Sequence, residues 1–105
     1  MLEKQIEQKV CDHAKTRDVL VYKFTSPNRA AVPDRLLVFP NGTILFIEFK
    51  RTGEKATIPQ QREHARLRGH NVPVYVVDGV ESGIMLVDYV SRRDAQLAPD
   101  TSWWM

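Results

Sequence analysis

The sequence predicts one α/β domain, a mixed sheet flanked by helices, and three observations lead to it. The stretch Ala31–Lys50, AVPDRLLVFPNGTILFIEFK, holds two apolar strand-like runs around Pro40-Asn41-Gly42-Thr43. Asn-Gly between such runs marks a hairpin, because both residues tolerate the positive φ of a tight turn. A helix-capping signature opens at Thr57, after the hairpin. A further apolar run, Pro73–Val77, follows that helix at the spacing of a β-α-β crossover, so it should lie parallel to the second hairpin strand.

Leu2 to Thr16 precedes the sheet as a helix, with Leu2, Ile6 and Val10 at helical spacing and His13-Ala14 extending the stripe. Glu3 and Glu7 stand one turn apart along its edge. Val19–Phe24, VLVYKF, is β-branched and aromatic and reads as the first strand. Thr25–Ala31, TSPNRAA, is a loop by its Ser-Pro-Asn content. Leu36–Phe39 and Ile44–Ile47 are apolar on both faces, so the hairpin is expected at the centre of the sheet, covered on both sides. After the charged loop Arg51–Ala56, Thr57-Ile58-Pro59-Gln60 matches a capping box: Thr as N-cap, Pro near the start, Gln three residues on. This helix should run to about Arg68 and end at Gly69. Its apolar content is thin (Ile58, Ala65, Leu67), so much of its surface should face solvent or a ligand. Gly83–Ser91 reads as a short helix through Ile84, Val87 and Val90, with a fifth strand as the alternative. Trp103 and Trp104 sit in an aperiodic tail and are expected to dock on the domain or on a second copy. The 105 residues form one domain on this reading, with a core over about 3–90 and a tail over 91–105.

A net charge of +2 gives no bulk polyelectrolyte attraction to nucleic acid, but the charge is unevenly distributed. Arg62, His64, Arg66, Arg68 and His70 cluster after the hairpin, and Arg29, Arg35, Lys50 and Arg51 flank its acids. Basic patches around an acidic centre suit a phosphodiester substrate. Lys23, Ser26 and Arg29 are further candidates for backbone phosphate contacts, beside Arg35, Arg51, Arg62 and Arg66. Cys11 is the single cysteine, which excludes an intramolecular disulfide and a cysteine zinc site and suits a reducing, cytoplasmic setting. The opening MLEKQIEQKV is too charged for a signal peptide, and no apolar run approaches a membrane span.

Centred on Asn41-Gly42, the hairpin sets Asp34 opposite Glu48 and Phe49. Strand side chains alternate faces, so Glu48 and Lys50 point the same way, and two carboxylates meet one ammonium. Glu48 lies in the apolar run Ile44–Phe49, where an unpaired charge is costly and a metal ion would offset that cost. A hard cation such as Mg²⁺ takes oxygen ligands, here Asp34, Glu48 and the Phe49 backbone carbonyl. Lys50 would then orient water or stabilise charge developing on a phosphate.

Val32-Pro33-Asp34 with Glu48-Phe49-Lys50 resembles the signature of the PD-(D/E)xK nuclease superfamily. The wider pattern has an N-terminal helix with a glutamate, then YKFTSPNR, AVPDRL, FIEFK and a helix opening with glutamine. It is similar to the virus-type replication-repair nuclease (VRR-NUC) branch over about Glu3 to Val77. The resemblance implies a restriction-endonuclease-like α-β-β-β-α-β core and Mg²⁺- or Mn²⁺-dependent hydrolysis of DNA phosphodiesters. By position, Asp34 and Glu48 would be metal ligands and Lys50 the catalytic lysine. Gln60 would be the family's glutamine, with Gln61 as alternative, and Glu7 its helix glutamate, with Glu3 as alternative. Short stand-alone members are similar in size to Holliday junction resolvases, which implies a homodimer acting on four-way or branched DNA in repair or recombination, and a phage or mobile-element origin. A flap or exonuclease-type activity at the same site, or a non-catalytic DNA-binding module on the same fold, are the alternatives. One departure is Ala31, where the family usually has glycine before Val-Pro-Asp; a positive φ there would cost alanine about 1 kcal/mol.

Overall fold

The structure, a computed structural model, describes residues 1–93. The expectation for Trp103 and Trp104 lies outside the described residues. The elements are α1 (Glu3–Thr16), β1 (Leu20–Lys23), β2 (Arg35–Val38), β3 (Ile44–Phe49), α2 (Ile58–Gly69), β4 (Val74–Val77) and α3 (Val80–Ser91). The four strands make one sheet in the order β1-β2-β3-β4. Its first two pairings are antiparallel and β3–β4 is parallel, with α2 as the crossover. Gly83–Ser91 is helical as expected, and its helix begins earlier, at Val80.

The hairpin turn is longer than a centre on Asn41-Gly42 implies. Phe39 N–H donates to the Thr43 carbonyl at 2.9 Å, and Gly42 N–H to the Phe39 carbonyl at 3.0 Å. The loop is therefore Pro40-Asn41-Gly42, with positive φ at Gly42 (88°) and not at Asn41. Proline pre-sets the first turn residue and glycine takes the left-handed position that follows. This pairs Val38 with Ile44 and Arg35 with Ile47, so Asp34 falls across from Glu48. Asn41 is used differently: its Nδ2 donates to the Val90 carbonyl at 2.7 Å and tethers the hairpin tip to the end of α3.

Alternation along β3 divides the sheet. Leu45, Ile47 and Phe49 face one side and pack with Leu37 and Val77 against Ile6, Val10 and Ala14 of α1 and Val87 and Val90 of α3. Burying these apolar side chains supplies most of the driving force for the fold. Asp88 of α3 ties the two helices together, accepting from His13 Nε2 at 2.7 Å and Arg17 Nε at 3.2 Å. Glu48 faces the other side, where α2 packs. Cover on that side is partial: Ile44 is 50%, Leu20 53% and Tyr22 51% exposed. The hairpin is thus not covered on both sides along its length, because one short helix follows β3 and reaches only its Glu48 end.

Helix α2 also departs from its apolar pattern. Ile58 and Ala65 are exposed, and the buried side chains are Glu63 and His64. Gly69 lies inside the last turn; the left-handed position falls on Asn71 (φ 63°). Asn71 N–H donates to the Arg68 carbonyl and Val72 N–H to the Leu67 carbonyl, the paired bonds of a Schellman ending. Asparagine tolerates this conformation because its side chain bonds locally.

Candidate active site

Ala31 has φ 67°, the left-handed turn that delivers Val32, the fully buried Pro33 and Asp34 to the start of β2. That conformation strains an alanine by about 1–2 kcal/mol. Glycine would relieve it and lose about 0.4–1 kcal/mol to unfolded-chain entropy. Ala31→Gly is therefore expected to raise stability by about 0.5–1 kcal/mol, read as a higher urea midpoint at unchanged slope.

Asp34 is held on two sides. Its backbone carbonyl accepts from Phe24 N–H at 2.9 Å, and its Oδ2 accepts from Phe49 N–H at 2.8 Å. The second bond fastens the first acid to the strand that carries the other. Glu48 is 3% exposed. Its Oε2 accepts from Gln60 Nε2 at 3.3 Å, and its Oε1 is buried with no hydrogen bond. Burial, then the neighbouring Asp34 charge, pushes the Glu48 carboxyl up to about 8, with Lys50 pulling the other way. Lys50, on the same face, is buried; its Nζ lies 3.8 Å from Glu54 Oε1. Asp34, Glu48 and Lys50 are thus brought together at one end of the sheet.

Gln60 serves two neighbours at once. Its Oε1 accepts from Thr57 N–H at 2.9 Å, while Thr57 Oγ1 accepts from Gln60 N–H at 3.3 Å. The capping box fixes the amide so that Nε2 points at Glu48. Gln61 turns away and donates to the Ala56 carbonyl at 2.9 Å. On α1, Glu7 is engaged by Arg35 Nε at 2.8 Å. Glu3 instead feels the site: burial and then the Asp34 charge raise its pKa, with Lys50 opposing. Glu3 thus shares the field of Asp34, Lys50 and Glu48.

The basic candidates separate. Arg29 Nη1 and Arg66 Nε both pair with Glu63, at 3.2 and 3.4 Å. Arg35 is taken by Glu7 and Arg51 by Glu54 at 3.0 Å. Lys23 and Arg62 are exposed and carry no ion pair among the described residues, and Ser26 is half-buried. Between the start of α1 and the loop after Lys50 opens a cleft of about 700 Å³, walled by Leu2, Gln5, Arg51, Thr52 and Glu54.

Sequence reasoning missed His64 as a site residue, taking it for part of a basic surface. It is 1% exposed, and its Nε2 stands 3.7 Å from Glu48 Oε1. Burial, then Arg68, lowers its pKa and favours the neutral ring. The available signal was its position one helical turn after Gln60. Glu54 was missed as well; its place four residues after Lys50 is the only hint in the chain.

Among the described residues, no group of three or more His, Cys, Asp and Glu is disposed to hold a metal by side chains alone. Asp34 and Glu48 give two carboxylates, and the orphaned, buried Glu48 Oε1 with its raised proton affinity is what a cation beside Asp34 would relieve. The donor set therefore fits a hard cation that keeps part of its water shell. No helix among the described residues is long and apolar enough to cross a membrane.

No family model matches the chain. A protein of Acyrthosiphon pisum secondary endosymbiont phage 1, named provisionally as nuclease p44, is 43% identical over 84 residues, which is 80% of this chain and 90% of that one. A solved structure described as a VRR_NUC domain superposes with a TM-score of 0.77 at 28% identity, covering 83% of this chain and 95% of that one. The strand order, the acidic end of the sheet and these two likenesses agree: the chain belongs to the virus-type replication-repair nuclease (VRR-NUC) family of the PD-(D/E)xK superfamily.

Proposed function

We propose that the protein is a Mg²⁺- or Mn²⁺-dependent endonuclease that hydrolyses phosphodiester bonds in structured DNA, four-way junctions or related branched forms, as a cytoplasmic homodimer. The observation that carries this is Glu48, a buried carboxylate with one unpartnered oxygen, next to Asp34 and on the same face as Lys50. When bound, the cation would supply Lewis acidity and charge neutralisation at the scissile phosphate. Asp34, Glu48 and the Phe49 carbonyl are the residues that would hold it. Lys50 offers an ammonium to the charge that develops on the phosphate oxygens and to the attacking water. Gln60 keeps Glu48 oriented. Glu3 takes the role of the helix glutamate in preference to Glu7, whose carboxylate is committed to Arg35.

Lys23 and Arg62, which carry no ion pair among the described residues, are the first candidates for DNA phosphates. Arg29, Arg35, Arg51 and Arg66 would have to exchange a carboxylate for one. The open apolar sheet face bearing Leu20, Tyr22 and Ile44 supports a homodimer, since a second copy would shield it. Two equivalent sites about a two-fold axis suit a symmetric junction.

The test is cleavage of four-way, flap, linear duplex and single-stranded DNA with Mg²⁺, Mn²⁺ or EDTA. Cutting of the branched substrates that EDTA abolishes is expected. Equal cutting of all four substrates removes the branched-DNA assignment, cutting in EDTA removes the metal, and sedimentation as a monomer at micromolar concentration removes the dimer.

A further inference from the structure

Two buried polar atoms face each other without a hydrogen bond. Glu48 Oε1 and His64 Nε2 are 3.7 Å apart, and each is shielded from solvent and unpartnered. A histidine recruited only to fill the core would be expected to have a partner on that nitrogen, because buried polar groups are almost always satisfied. Here the facing atom is the free oxygen of the acid whose other oxygen Gln60 already holds at 3.3 Å. Gln60 and His64 are four residues apart on α2, so they lie on one face of the helix, one turn apart. Helix α2 thus aims one side-chain nitrogen at each oxygen of a single carboxylate. A carboxylate has about four lone-pair sites, so two donors leave room for a cation.

We propose that His64 is a positioning residue. With its Nε2–H directed at Glu48 Oε1 it would, together with Gln60, set the rotation at which the Glu48 carboxylate is presented to a divalent cation beside Asp34. This rests on the metal-dependent reading above. A rotation of the carboxylate or the ring that brings the two atoms roughly 0.5–1 Å closer reaches hydrogen-bond length. The imidazole must then carry its proton on Nε2 and leave Nδ1 bare. Donors behind a ligating carboxylate typically change metal affinity by about 10–100-fold when removed.

The experiment compares wild type, His64→Phe, which fills the space without a donor, and His64→Gln, which restores an N–H. Three quantities are read: Mn²⁺ affinity by calorimetry without DNA, metal-free melting temperature, and cleavage against Mn²⁺ concentration. His64→Phe is expected to melt near wild type and bind Mn²⁺ about 10–100-fold more weakly. Its cleavage should recover as Mn²⁺ is raised, and His64→Gln should regain most of the affinity. A merely structural histidine would give the opposite pattern, a lower melting temperature that added metal does not repair. Should the Phe variant not fold, the ¹⁵N resonance of His64 Nε2 in wild type decides. A shift toward a hydrogen-bonded donor on Mg²⁺ addition supports the role, and an unmoved resonance overturns it. Wild-type Mn²⁺ binding that His64→Phe leaves unchanged overturns the role of His64 alone. Wild type that binds no Mn²⁺ overturns the metal reading and this inference with it.

Discussion

Asp34→Asn, Glu48→Gln and Lys50→Met are each expected to slow DNA cleavage by at least about 10²–10³-fold while leaving the fold and DNA binding in place. The substitutions are chosen from the geometry. An asparagine at 34 keeps an oxygen to accept from Phe49 N–H, so the hairpin bond survives and only the charge is lost. A glutamine at 48 keeps the shape of a side chain that is 3% exposed. A methionine at 50 keeps the buried stem of Lys50 and removes the ammonium. Melting curves near wild type, gel-shift affinities within a few-fold and an absent cleavage product are the predicted set. Three variants that cut at the wild-type rate, with contaminating nuclease excluded, would remove the active-site assignment.

In metal-free protein, stability should fall as pH rises from about 5 to 8, and Glu48→Gln should flatten that fall. The sign follows from the raised carboxyl. The unfolded chain ionises Glu48 near its ordinary 4.5, whereas the folded chain holds the proton up to about 8. Between those values the folded state binds more protons than the unfolded one, so raising pH favours unfolding. The variant has no proton to lose at that position. The difference between the two profiles should reach about 1–3 kcal/mol by pH 8, the scale of a buried polar group left without a partner. Mn²⁺ should restore the wild-type loss and not affect the variant. Urea titrations at several pH values, in EDTA and in Mn²⁺, measure this, and parallel profiles for the two proteins would contradict it.

Much of this site could be read from the chain because strand alternation and one turn determine it. Once Ile47 and Phe49 face the core, Glu48 and Lys50 must face the other way, and the Asn-Gly turn brings Asp34 across from them even with its centre misplaced by half a residue. Gln60 was legible through its capping box, although nothing in the pattern told that its free amide would reach Glu48. The choice between Glu3 and Glu7 was not legible. Both lie on one edge of α1, and a long-range partner, Arg35 from β2, takes up the second. His64 and Glu63 were hidden for the same kind of reason. A helix with few apolar residues looks solvated, yet α2 buries Glu63 and His64 and turns Gln60 and His64 toward the Glu48 carboxylate. Arg29 and Arg66 stay largely exposed, yet both pair with Glu63, an acid buried on that helix, a contact that no local spacing announces.

Thr57 and Gln60 close the first turn of α2 with the same amide that grips Glu48. Unwinding that turn would therefore release the acid, however sound the rest of the molecule remains. Helix ends open at lower free energy than whole domains do. Warming should silence catalysis before the protein melts, which makes the opening turn of α2 a thermal cut-out for the site.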